Sequence, residues 1–252
     1  MIGHPNDENG PVFVAFQDAC SNNDMKLVLN MVVNCDPTTL TWGMNAALVA
    51  GHLELAHQLL DLGTIWDCMT ASHAIRSLDI LKLLMKFGFN VNVPYMNGSV
   101  LLPAVIAHND ELYIRYLLDH GANPNLGALK NEQNPSRYAL PVNNSGACLH
   151  AAAAHCSPDI FALLLSHGAI LSNSIPLHSA AGAGRPELPP GSRIPMLEYL
   201  DGFGLDVNAL DDGVFLGWHQ RGTPLHYAVM WGNVEEAKWL IGKGADPDKR
   251  SV

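Results

Sequence analysis

The sequence predicts an all-α repeat solenoid, a stack of helix-turn-helix units joined by β-hairpins or extended loops. Three recurring features carry that prediction. The first is a Pro-Leu-His turn leading into a small-residue helix, best seen in Thr223-Pro224-Leu225-His226-Tyr227-Ala228. The second is a turn between two helices, as in Gly232-Asn233-Val234-Glu235, and the third is a closing Gly-Ala, as in Gly244-Ala245-Asp246. Together they recur in degraded form at spacings scattered around ~33 residues, a period at which each unit is one supersecondary element that needs its neighbours to bury its apolar face.

The units follow in chain order. A first, cap-like copy lies at Ala15 to Cys20, with Asn23-Asp24-Met25-Lys26 standing in for the turn. Trp42 to Ala47 opens the second, with Gly51-His52-Leu53-Glu54 and Gly63 behind it; Asp67 to Ser72 with Gly88 forms the third. The fourth runs from Gly98 to Ala104 and on to Gly121-Ala122-Asn123-Pro124-Asn125. The fifth and sixth are clear: Ala147-Cys148-Leu149-His150-Ala151-Ala152-Ala153 with Gly168-Ala169, and Ile175-Pro176-Leu177-His178-Ser179-Ala180-Ala181 with Gly204. With the seventh at Thr223, the expected units are 12–37, 38–64, 65–94, 95–125, 143–172, 173–208 and 219–248. Segments 126–142, 186–193 and 209–218 are read as insertions in a single domain spanning 1–252.

Each residue type in the pattern has a physical task. Proline at a first helical position has a preset φ and lacks an N–H that would go unpaired there, so Pro176 and Pro224 start their helices. Gly63, Gly88, Gly121, Gly168, Gly204 and Gly244 each follow an apolar helix where a left-handed turn is easiest without a Cβ. Stretches such as Leu55 to Leu60, Leu81 to Met85, Ile114 to Leu118, Ile160 to Leu165 and Ala237 to Ile241 have helical periodicity. Ala46-Ala47, Ala152-Ala153 and Ala180-Ala181 put small side chains on the preceding helix, which lets adjacent units approach closely.

On these linked motifs the chain resembles the ankyrin-repeat family from about Val12 to Asp248, with departures such as Asp67-Cys68-Met69-Thr70 and Val100-Leu101-Leu102-Pro103 that suit an irregular natural array. The resemblance implies that His150, His178 and His226 are structural turn residues whose imidazoles bond to main chain in their own or the next repeat. It also implies that a protein or peptide partner is held by hairpin tips and by the ends of each first helix, around a concave groove. Those ends include Ala107-His108, Ala154-His155, Ala183 and Met230-Trp231; the tips include Trp66 and Tyr95. Trp231 is the leading anchor, since large aromatics supply much of the energy at interfaces. Its competing reading is a cover for an inserted loop. The extension before the seventh unit adds Asp211, Asp212, Phe215, Trp218, His219 and Arg221 as candidate partner-binding residues. Pro124 to Asn144 reads equally as a spacer, and Pro186 to Arg193 as a tolerated insertion on the face opposite the hairpins.

Composition narrows the partner class. A formal charge of -10 with 14 Lys plus Arg disfavours nucleic acid and acidic membranes, and a partner with a basic patch suits it better. No apolar run reaches the ~20 residues of a membrane span, and Met1 to Gly10 is polar with two acids, unlike a secretory signal. Cys20, Cys35, Cys68, Cys148 and Cys156 are odd in number and scattered, as free thiols in a reducing compartment would be. An intracellular monomer, cytoplasmic or nuclear, is expected.

Cys148, His150, His155 and Cys156 gather two sulfurs and two imidazoles within nine residues, but on a helix their directions diverge by about 100° between the consecutive pair, so no metal is expected. No nucleophile elbow or paired-acid signature occurs, and Gly182-Ala183-Gly184 lacks the strand and Lys-Ser/Thr ending of a phosphate loop. The expectation is a non-enzymatic interaction module without cofactor, or alternatively a regulatory or scaffold part of a larger assembly. An enzyme would instead bring titratable groups together near Asp211, Asp212 and His219.

Overall fold

The computed structural model describes residues 10–128, 139–184, 189–211 and 221–249. Fourteen α-helices occur among the described residues, and no strand beyond isolated bridges joins them. The chain divides into two compact units, Met1–Asn90 and Val91–Val252.

The first unit holds α1 (Pro11–Ser21), α2 (Met25–Met31), α3 (Pro37–Val49), α4 (Leu53–Asp61), α5 (Cys68–Ala74) and α6 (Leu78–Lys86). Helices α1, α3 and α5 pack in succession, and α2, α4 and α6 each lie against the helix before them. Helix α3 begins more than a turn before the Trp42 start expected from the small-residue pattern. The reason is local: Asp36 accepts the Thr39 N–H at 2.8 Å and Pro37 takes the first helical position. The core is Phe16, Cys20, Met44, Ala47, Leu55, Leu59, Leu81 and Leu84, all buried. Gly43 is required where α1 meets α3, because a Cβ there would run into the Phe16 ring and Cys20 Sγ. Asn23 takes the left-handed conformation at φ 58° that Gly51 takes at φ 82°, so an Asn-Asp turn can replace the Gly-His turn.

The second unit holds α7 (Leu101–His108), α8 (Glu111–Asp119), α9 (Ala147–His155), α10 (Pro158–Ser166), α11 (Pro176–Ala181), α12 (Ile194–Asp201), α13 (Pro224–Met230) and α14 (Val234–Gly242). Helices α7, α9, α11 and α13 form one row, and α10, α12 and α14 another. Pro103 sits within the first turn of α7, where its missing N–H has no intrahelical partner to lose. At the far end, Ala181, Leu225, Ala228, Leu240 and Ala245 form a buried cluster covered by Val207, Ala237 and Trp239.

Among the described residues the connections between pairs carry two isolated bridges, Met96 with Ser99 and Gly127 with Val142. Polar side chains take over the work of joining one repeat to the next. Asn92 Nδ2–H donates to the Gly121 carbonyl at 2.9 Å while its Oδ1 accepts the Asn123 N–H at 2.8 Å. Asn125 repeats this with Gly168 and Ile170, and Asn208 with Gly244 and Asp246. Each Asn therefore satisfies one donor and one acceptor of the next turn.

Candidate functional site

The row α7, α9, α11 and α13 presents its small side chains to one side. Ala104, Ala151, Ala154 and Ala183, with Gly182 and Gly184, floor a groove of 660 Å³ within the second unit. Tyr95 stands in the wall on the α7 side, Tyr227 and Trp231 on the α13 side, and the imidazoles of His150, His155 and His178 lie between.

Trp231 caps the C-terminus of α13, its N–H donating to the Tyr227 carbonyl at 3.1 Å. The residue is 50% exposed. The covered part lies on Gly184: a Cβ at that glycine would come within 2.5 Å of the ring. This contact holds the indole against Gly184, and Trp231 stays half exposed at the groove. Asn233 holds the same corner, donating from Nδ2 to the Ala181 carbonyl at 2.7 Å.

The turn histidines face inward. His150 is buried and its Nε2 accepts the Ile175 N–H at 2.9 Å; His178 Nε2 lies 3.0 Å from the Ala209 carbonyl and 3.2 Å from that of Gly222. His226 closes a capping box, with Nδ1 accepting the Thr223 N–H at 3.1 Å. Pro176 and Pro224 occupy the first positions of α11 and α13.

Several sequence candidates sit elsewhere than expected. Asp211, a candidate partner-binding residue, is only 4% exposed; its carboxylate accepts the Tyr227 O–H, and its carbonyl accepts Arg221 Nε–H. The carboxylate stands behind the groove wall because Tyr227 reaches across to it. His155, expected to be exposed, is half-buried as part of the groove lining. Met230 and His108 are exposed but do not line the groove, and Trp66 packs edge-on against Phe89 at 5.1 Å in the first unit. Asp212, Phe215, Trp218 and His219 lie outside the described residues.

Sequence reasoning missed Arg193. Read as the end of a tolerated insertion, it is 8% exposed and donates from Nη2 to the Ala153 and Cys156 carbonyls at 2.6 and 2.7 Å, capping the C-terminus of α9. Its main-chain N–H donates to Glu236 Oε1 at 3.1 Å, and Glu236 is itself only 4% exposed. A long cation ending an otherwise polar insertion carries no local signal of this role. Gly184 was equally invisible, since its contact with Trp231 exists only in three dimensions.

Burial pushes the Cys148 thiol well above its ordinary range, as it does the Tyr95 phenol, where a hydrogen bond with Ser99 partly offsets it. Cys156 Sγ–H donates to the Ile106 carbonyl at 3.4 Å. Among the described residues, no group of three or more His, Cys, Asp or Glu is placed to hold a metal ion, and no helix is long and apolar enough to cross a membrane. The groove thus offers shape, aromatic surface and imidazoles, several of whose ring nitrogens meet main chain.

The sequence pattern that defines ankyrin repeats matches residues 149–251, in three copies. Residues 149–251 are thus ankyrin repeats. It is 32% identical over 92 residues to an ankyrin repeat-containing protein of Treponema pallidum (strain Nichols), covering 33% of this chain and 31% of that protein. It is 24% identical over 179 residues to an ankyrin repeat protein of fowlpox virus (strain NVSL), covering 65% of this chain and 99% of that protein. The chain therefore spans about a third of the treponemal protein's length and nearly all of the fowlpox protein's. Ankyrin repeats are in general protein-interaction modules, and the family is typically non-enzymatic.

Proposed function

We propose that this ankyrin-repeat chain is a non-enzymatic, intracellular module that holds an extended protein segment in the groove formed by α7, α9, α11 and α13. One observation carries the reading: a half-exposed Trp231, fixed against Gly184, stands at the edge of a floor made of alanine and glycine. Small floor residues let a partner main chain approach closely, and a pre-oriented aromatic loses little freedom on binding. Tyr95 and His155 join Trp231 as contact residues on this reading.

The test uses the full chain and a displayed library of random ten-residue peptides. Selected peptides should lose at least about tenfold in affinity on Ala151→Trp, which fills the groove floor, and on Trp231→Ala, while Val33→Ala in the first unit changes nothing. Peptides that bind all variants equally would place the interaction elsewhere.

A further inference from the structure

We infer that Arg193 is a positioning residue for the groove: its side chain clasps the groove-lining end of α9 while its main chain is held by α14, so the last helix pair sets the geometry of a surface two pairs earlier. The inference rests on the groove reading above and names a device that regulates it.

Part of the groove lining, Ala154, His155 and Ala183, sits at or just past the C-terminal ends of α9 and α11. Helix ends leave carbonyls without intrahelical partners, and in this row a polar group from the following helix pair meets them. Cys156 Sγ–H donates to the Ile106 carbonyl near the end of α7, and Asn233 Nδ2–H to the Ala181 and Ala183 carbonyls at the end of α11. At the end of α9 that group is Arg193, whose Nη2 meets the Ala153 and Cys156 carbonyls at 2.6 and 2.7 Å. These two carbonyls lie on either side of Ala154 and His155 in the chain. Arg193 is not itself part of the lining, so it acts on the groove through the two residues it frames.

Arg193 is in turn anchored to the last pair. Pro189 to Arg193 forms a turn, with Ser192 N–H donating to the Pro189 carbonyl at 3.1 Å and Ile194 N–H to the Gly191 carbonyl at 3.0 Å. The turn rests on α14: a Cβ at Gly191 would stand 3.5 Å from Glu235 Cβ. The Arg193 main-chain N–H then donates to Glu236 Oε1 at 3.1 Å. Glu236 is out of character for its register. Eight residues before the closing glycine, the earlier repeats have Leu55, Ile80, Tyr113, Ile160 and Met196, all buried. Glu236 is buried too, and a carboxylate costs far more to take from water than those side chains, so packing alone does not account for it. What the carboxylate adds is a directional, charge-assisted hold on the residue that reaches α9. Glu236, Arg193 and the end of α9 thus form a continuous hydrogen-bonded chain from the last pair to the groove.

The experiment uses the full chain and one decapeptide, selected from a random library for binding that Ala151→Trp abolishes. It reads peptide affinity together with amide exchange at Cys156, whose N–H donates to the Ala152 carbonyl at 2.9 Å. Arg193→Met should quicken that exchange about tenfold or more and weaken the peptide about fivefold or more. Glu236→Met tests the far end of the chain of bonds, and should quicken Cys156 exchange and weaken the peptide about threefold or more each. Glu236→Gln keeps an acceptor oxygen for the Arg193 N–H and should restore both readouts to within about twofold of the native chain. Asn208→Ala loosens the same last pair at Gly244 and Asp246 without touching the clasp, and should leave both readouts within about twofold. Native exchange at Cys156 in Glu236→Met overturns the inference, as do equal effects of Glu236→Met and Asn208→Ala. Native peptide affinity in Arg193→Met despite faster exchange also overturns it, leaving a helix cap with no positioning role. A library that yields no peptide sensitive to Ala151→Trp removes the groove reading instead, and Cys156 exchange in Glu236→Met still decides whether the clasp joins α14 to α9.

Discussion

Replacing Arg193 by Met should destabilise the second unit by about 3 kcal/mol. Arg193 is 8% exposed, and its Nη2 donates to two carbonyls, of Ala153 at 2.6 Å and Cys156 at 2.7 Å. Hydrogen bonds from a charged donor contribute about 1.5–3 kcal/mol each, and removing the donor leaves carbonyl oxygens at the α9 terminus short of a partner. Two such bonds would give about 3–6 kcal/mol, but Arg193 lies close enough to the surface for water to enter, which favours the lower end. Met matches the aliphatic stem, so lost packing adds little. At a urea dependence of about 2–3 kcal/mol per molar, the midpoint followed by circular dichroism should fall by about 1–1.5 M. Hydrogen exchange should quicken most at the end of α9 and in α14, where Glu236 takes the Arg193 N–H. A midpoint loss equivalent to less than about 1 kcal/mol, with unchanged exchange at α9, would refute the claim that this cation caps the helix.

Asn125→Ala should cost about 1–2 kcal/mol and increase exchange at Ile170, whose N–H it accepts at 2.9 Å; the bonds are exposed, so water limits the loss. Alkaline stability should follow the buried thiols. Burial first, and then the neighbouring Cys35, push Cys20 from its ordinary value of 9.0 up to about 12, so unfolded chains lose this proton before folded ones. Stability is then complete below pH 9 and declines as pH rises toward 12, by about 1 kcal/mol from this thiol between pH 9 and 10. Cys20→Ala should flatten that slope in pH-dependent urea titrations, and an unchanged slope would deny the burial effect.

The scaffold was legible because its rules are local. A proline at a helix start or a glycine after an apolar helix acts within a few residues, and the six closing glycines have φ between 67° and 92°. Helix α3 was misread for a related reason: its Asp36 cap lies outside the repeat pattern, which pointed to Trp42 instead. What the sequence concealed are relations between distant segments. Arg193 meets α9 some 40 residues earlier, and Asp211 is tied inward by Tyr227, 16 residues further along the chain. Tyr95, His155 and Trp231 were all among the candidates, yet only the packing of four helices puts them along one groove and leaves Met230 outside it.

In the second unit the groove floor is made of alanine and glycine, while the bonds that hold repeats together come from polar side chains. Asn92, Asn125 and Asn208 bridge successive hairpins, and His150 and His178, though part of the groove lining, reach main chain of the following turns, so the inter-repeat bonds are made by polar side chains and not by the alanines of the floor. Alanines on the floor can then change without disturbing those bonds. A solenoid's stability is close to a sum over units and their interfaces, so such a division lets partner specificity vary at nearly constant fold stability. Gly184 stands on the boundary between the two sets. Its hydrogen atom makes room for the Trp231 ring, so any larger residue there would turn the indole before it weakened a helix, altering recognition from a position that never touches the ligand through a side chain of its own.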